Sequence, residues 1–215
     1  MQSDREFWEN DYYKNLQESE KDFLKDTFLS KYEELISKVE PKRVLDLGCG
    51  LGQDTKWLRG RGLKVTACDF AKQAVQQVQQ ICPEAEAIVL DMREGLPFKN
   101  GSFGLVNANL SLHYFSIDET AKIWAEIYRV LAPGGKLIGV VNSARNGYAN
   151  DGYVASPDDK NFYYNPQRKQ HKRLFDQNQF DYLAQQAPWK IRVLRENEIA
   201  RKERKKYTWE FVWEK

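Results

Sequence analysis

Apolar positions recur along this chain with two periods. Leu24, Phe28, Tyr32, Leu35, Ile36 and Val39 fall at helical spacing and Pro41 stops the pattern, so an amphipathic helix is expected over 19–39. Beyond it, short β-branched runs alternate with helical stretches. Strands are expected at 43–47, 64–68, 87–90, 103–107 and 136–141. Helices lie between them, such as 71–81, where Ala74, Val75, Val78 and Ile81 share a face, and 118–131, where Ile123, Trp124, Ile127 and Leu131 do. This alternation implies βαβ units and a parallel sheet. The end of the chain differs. Segments 190–199 and 207–213 read as an antiparallel hairpin closing the sheet edge, with Tyr207, Trp209, Phe211 and Trp213 on one face. The pattern predicts a single α/β domain over 1–215, with a mostly parallel seven-stranded sheet, helices on both faces and an antiparallel C-terminal hairpin. The stretch 142–173 is too long for an ordinary connection, and an irregular lid insertion is expected there.

Composition narrows the class. Hydrophobic residues make up 41% and charged residues 30%, the balance of a globular chain able to bury its own core. No apolar run reaches the roughly eighteen residues that span a bilayer, and the N-terminal MQSDREFWEN is acidic where a signal peptide would be basic and then apolar; a cytoplasmic location is expected. Cys49, Cys68 and Cys82 are odd in number and lack metal-ligand spacing, so they read as reduced, buried thiols and no metal site is expected. The formal net charge of +2 provides no global field to recruit nucleic acid or membrane.

The candidate chemistry begins at Val44-Leu45-Asp46-Leu47-Gly48-Cys49-Gly50-Leu51-Gly52, a strand running into a glycine-rich turn and then a helix. Glycines at alternate positions let the backbone turn tightly and approach a ligand, while the helix start offers free N–H groups. A dinucleotide fingerprint, G-x-G-x-x-G, fails in both registers, because its last position falls on Gln53 or Thr55. Charge agrees: Asp46 and Asp54 bracket the turn and would repel a pyrophosphate, whereas the methionine end of S-adenosylmethionine brings an ammonium.

At these residues the chain resembles the class I S-adenosylmethionine-dependent methyltransferases, whose first motif, D-x-G-x-G-x-G, matches Asp46 to Gly52 without a gap. The resemblance continues through Asp69-Phe70, Asp91-Met92, Asn109-Leu110 with Leu112-His113-Tyr114-Phe115, and the turn Leu131-Ala132-Pro133-Gly134-Gly135-Lys136-Leu137. It implies a Rossmann-like fold and S-adenosyl-L-methionine as cofactor. The cofactor would be held by Asp46, Gly48, Cys49, Gly50 and Gly52 at the turn. Asp69 and Phe70 would lie at the ribose, Asp91 and Met92 at the adenine, Asn109 and Leu110 after the fourth strand, and Tyr12 in an aromatic N-terminal lid over 1–40 that also contains Phe7, Trp8 and Tyr13. Gly104 departs from the family's usual S-F-D-L-V, and a small loss of stability with no change in chemistry is expected.

On the acceptor side the resemblance places His113, as the catalytic candidate, and Tyr114 at the transferred methyl. His171 and Arg173 end a basic run inside the expected lid and are candidates for binding the acceptor. The chain lacks the N/D-P-P-Y segment of amino-group methyltransferases and a Pro-Cys nucleophile for base carbons, so it looks most like the small-molecule branch, including the tellurite-resistance-type methyltransferases. A small acceptor, anionic or thiol-like, is expected. Two alternatives stay open. The basic run 201–206, with Tyr207 and Trp209 beside it, would suit a nucleic-acid methyltransferase, and a pocket without turnover would make a non-catalytic cofactor-binding protein.

Overall fold

The computed structural model describes residues 8, 27–147, 152–200 and 205–215. In chain order the principal elements are α1 (Glu33–Ser37), β1 (Arg43–Leu47), α2 (Gln53–Arg59), β2 (Lys64–Asp69), α3 (Lys72–Ile81), β3 (Glu86–Val89), β4 (Phe103–Asn109), α4 (Ile117–Val130), β5 (Leu131–Asn142), β6 (Val154–Ala155), β7 (Phe162–Asn165), β8 (Gln170–Arg173), α5 (Gln177–Ala184), β9 (Lys190–Ala200) and β10 (Lys205–Glu214). Seven strands form one sheet in the order β3-β2-β1-β4-β5-β10-β9. The first five run parallel, and β10 lies antiparallel between β5 and β9. This is the mostly parallel sheet with an antiparallel C-terminal hairpin that the periodicity predicts, and it has the Rossmann-like form that the resemblance implies. The strand order reverses between β1 and β4, and open α/β sheets hold ligands beyond the carboxyl ends of the strands at such a switch point.

Val44, Leu45, Asp46 and Leu47 of β1 are all buried, as in a parallel strand covered on both faces. On one face Trp124 and Ile127 of α4 pack with Phe180 and Leu183 of α5 and with Phe211 and Trp213 of β10. On the other, Ile36 of α1, Leu58 of α2 and Val78 of α3 pack on Val44 and on Val212 of β10. Alternation along β10 therefore feeds both layers, and each fully buried side chain of this size contributes roughly 1.5–3 kcal/mol. A capping box fixes the start of α4: the Ser116 hydroxyl accepts from Glu119 N–H at 3.2 Å, and the Glu119 carboxylate accepts from Ser116 N–H at 2.9 Å.

Three local expectations are corrected, and one helix is added. The helix expected over 19–39 is not continuous in its described part, because Thr27 is extended and caps a 3-10 turn, Phe28–Tyr32, that leads into the short α1. The Thr27 hydroxyl accepts from Leu29 N–H and donates to Asp54, which holds the chain out of helix there; residues 19–26 lie outside the described set. Segment 142–173 is not irregular in its described part. It contains a three-stranded antiparallel sheet, β6-β7-β8, whose turn puts Lys169 rather than a glycine in the left-handed region (φ +49°), so no glycine betrays the hairpin. Helix α5 is not anticipated, although its capping box, Asp176 with Gln179, stands in the sequence. Finally, Gly104 is a packing requirement: a Cβ there would lie 2.3 Å from the Pro41 carbonyl oxygen.

Candidate functional site

The glycine turn leaves β1 at the switch point. Gly48 (φ +77°) and Cys49 donate their N–H groups to the Cys68 carbonyl at the end of β2, at 2.8 and 2.9 Å. A Cβ on Gly48 would come within 2.4 Å of the Ser111 Cβ, so this position takes no side chain without displacing the loop after β4. Asp69 secures the turn from below: its carboxylate accepts from Gly50 N–H at 3.1 Å and from Ala71 N–H at 2.9 Å.

Asp46 and Asp54 share one hydrogen-bond network. Asp46 accepts from the Thr55 hydroxyl at 2.5 Å and from Asn107 Nδ2 at 2.8 Å. Asp54 accepts from the same Asn107 amide at 3.1 Å, from Asn109 Nδ2 at 3.0 Å and from Thr27. Burial, and then the neighbouring Asp54 carboxylate, hold the Asp46 pKa above the ordinary carboxylate range, against the hydrogen bonds from Thr55 and Asn107. Asp46, Asp54 and Asp69 are buried, and the partners just named are uncharged. The Asn107 side-chain oxygen adds another buried acceptor, one without a partner. Such a site repels a pyrophosphate and attracts an ammonium, so the residues present fit a cofactor carrying an amino group. Burial, with the carboxylates of Asp69 and Asp46 adding to it, keeps the Cys49 thiol far above its usual pKa, which removes thiolate chemistry at this position.

The loop after β4 forms the other wall. Leu110 takes a left-handed backbone (φ +55°), uncommon for a residue with a side chain, and is partly exposed. His113 is buried, its Nδ1 has no partner, and burial, followed by the charges of Lys172 and Lys206, holds its pKa well below the usual histidine value, so the imidazole is neutral. Its ring lies 4.3 Å from that of Tyr114, and Trp8 meets Tyr114 edge-on at 5.2 Å. Trp8 also packs against the cluster of Ala71 and Ala74 at the start of α3, as Leu51 of the glycine turn does, and so joins that cluster to the His113 loop.

The sequence-derived residues distribute unevenly. Asp46, Gly48, Cys49, Gly50, Gly52, Asp69, Asn109 and Leu110 lie at the carboxyl ends of β1, β2 and β4 or in the loops just beyond, with His113 and Tyr114 further along the last of these loops. Phe70 follows β2 directly and is half-buried. Asp91 caps a 3-10 turn, accepts from Arg93 N–H at 3.0 Å and pairs with the Arg93 guanidinium, while Met92 is buried. Tyr12 lies outside the described residues. His171 stacks on Phe162 at 5.2 Å, and Arg173 is buried against Asp159. A cavity of about 510 Å³ lies beside the small sheet, lined in part by Asp118, Asp158, Asp159 and Phe162. Asn107 and Thr55 escape the sequence reading. Asn107 carries a signal, since Asn107 and Asn109 alternate and share one face of β4; Thr55 carries none.

Comparison with known proteins places this geometry. Residues 45–139 match the family described as methyltransferase domain. Over 94 residues the chain is 36% identical to an uncharacterized methyltransferase of Synechocystis, an alignment covering 44% of each chain. It is 34% identical over 109 residues to a malonyl-[acyl-carrier protein] O-methyltransferase of Erwinia billingiae, covering 49% of this chain and 42% of the other. The matched stretch thus spans less than half of these curated relatives. A SAM-dependent methyltransferase structure from Methanosarcina mazei shares the fold, with a TM-score of 0.69, 21% identity, and coverage of 80% of this chain and 92% of that one.

Proposed function

We propose that this chain, whose residues 45–139 match a methyltransferase domain and whose fold is shared with a SAM-dependent methyltransferase structure, is a class I, S-adenosylmethionine-dependent methyltransferase that transfers a methyl group from S-adenosyl-L-methionine to a small anionic or thiol-like acceptor. The observation that carries the cofactor assignment is the buried trio Asp46, Asp54 and Asp69 around a glycine turn. Asp46 and Asp54, with Asn107 and Asn109 behind them, would hold the amino group. Asp69 would meet the ribose, the 91–92 turn the adenine, and Trp8 would close over the pocket in the role the resemblance gives to Tyr12. When bound, the cofactor supplies an electrophilic methyl group on a sulfonium.

The remaining tasks fall to the chain itself: to orient the acceptor, exclude water and handle a proton. Neutral His113, with its unpartnered Nδ1, can take a proton from a protonated acceptor and become imidazolium. Lys172 and Lys206 bear positive charge toward that imidazole, a field that favours an anion beside it. An oxyanion or thiolate needs no base, and for it positioning supplies most of the rate. The relative acting on a malonyl group, which carries a carboxylate, is in keeping with such an acceptor. The test is release of S-adenosylhomocysteine from wild type and His113→Gln across small carboxylates, phenols, thiols and, for contrast, bulk RNA. Turnover on a small acid, phenol or thiol is expected, with the fall in His113→Gln greatest for the phenols and thiols that arrive protonated; turnover on RNA alone would overturn the small-molecule reading.

A further inference from the structure

Arg173, at the end of β8, is fully buried yet lies in the basic run that suggested an acceptor contact. Its backbone N–H donates to the His113 carbonyl at 2.9 Å, and its Nε–H donates to the Phe115 carbonyl, also at 2.9 Å. One residue thus holds the two carbonyls that flank Tyr114. The guanidinium is fixed in turn by an ion pair with Asp159, Nη2 to Oδ2 at 2.7 Å, and it lies 5.0 Å over the ring of Phe162, its partner across the β7–β8 pair. At its other end the loop is pinned by the Ser111 hydroxyl, which donates to the Leu47 carbonyl at 2.6 Å.

Burial of a guanidinium is unfavourable unless its charge and donors are matched, and an apolar residue of similar volume often serves stability as well. Here Nη1 is left without a partner. The feature that an apolar residue could not reproduce is the fork that holds the Phe115 carbonyl with one arm and Asp159 with another. We infer that Arg173 is a positioning residue: oriented by Asp159, it fixes the 113–115 loop so that the His113 imidazole stays at the acceptor edge of the sheet. The inference rests on the reading of His113 given above, and its test separates the two.

The chain has only two histidines, His113 and His171, so a ¹⁵N-histidine spectrum contains two imidazoles, and His171→Gln assigns them. In the wild type the His113 signals are expected not to titrate between about pH 6 and 8, with the charges of Lys172 and Lys206 adding to the effect of burial. Arg173→Lys keeps the charge but loses the fork. In it, and more weakly in Asp159→Asn, the His113 signals should shift and begin to titrate, while S-adenosylhomocysteine affinity changes less than about twofold and kcat falls about tenfold to a hundredfold. His113 signals identical to wild type in both variants would overturn the inference. Displaced His113 signals with unchanged kcat would uphold Arg173 as the positioning residue and refute the role of His113 in transfer. Should Arg173→Lys fail to fold, Asp159→Asn decides by the same spectrum.

Discussion

Replacing Gly48 with alanine tests the mutual fit of the glycine turn and the loop after β4. Two penalties are expected. A left-handed backbone, here φ +77°, disfavours alanine by roughly 1–2 kcal/mol. The new Cβ would also sit 2.4 Å from the Ser111 Cβ and 3.1 Å from its Oγ, an overlap that costs about 1–3 kcal/mol to relieve. The sum is about 2–5 kcal/mol. Ser111→Gly alone removes the hydroxyl that donates to the Leu47 carbonyl and should cost about 1 kcal/mol from that bond. In the double variant the overlap disappears while the backbone penalty remains, so the two changes should be coupled by about 1–3 kcal/mol in the favourable direction. Urea unfolding of the four proteins measures this cycle, and S-adenosylhomocysteine binding should weaken in Gly48→Ala. Costs that add within about 0.5 kcal/mol would show that Ser111 does not close over Gly48, and the geometry given for this wall of the site would be wrong.

Two further outcomes follow from the carboxylates. Asp69→Ala should weaken S-adenosylhomocysteine binding by about 1–3 kcal/mol, since it removes a charged acceptor from the ribose and the tether on Gly50; an unchanged dissociation constant would leave Asp69 only its role as tether. Asp46 has a raised pKa, so its contribution to stability is present in full below about pH 4, the ordinary carboxylate range, and is lost as pH rises through the raised folded value. An ammonium beside it favours the ionised form, so binding should expel a proton and tighten with rising pH across that window. Calorimetry in buffers of different ionisation enthalpy detects the proton, and a pH-independent affinity in that window would sink this assignment.

The seven-stranded sheet and the glycine turn were legible because each is local: β1 is a five-residue strand carried by Val44, Leu45 and Leu47, and Asp46 to Gly52 are contiguous. The network behind the turn was not, since Asn107 reaches Asp46 and Asp54 from a separate strand and Thr27 reaches Asp54 from before the sheet. Gly104 misled for the same reason. Its neighbour is the Pro41 carbonyl, and no propensity scale records a backbone crossing. The small sheet within 142–173 was hidden by short strands and a left-handed lysine. Arg173 read as an acceptor contact at the end of a basic run because a one-dimensional pattern cannot tell a guanidinium that faces a ligand from one that faces a backbone carbonyl and a carboxylate.

The most direct test of the central claim is titration calorimetry of the purified protein with S-adenosylhomocysteine and, separately, with NADH. The buried carboxylates at the turn require the amino-bearing ligand to bind, with a dissociation constant on the order of micromolar, or about −8 kcal/mol, and the pyrophosphate ligand to give no heat of binding. Binding of NADH without binding of S-adenosylhomocysteine would contradict the account at its base.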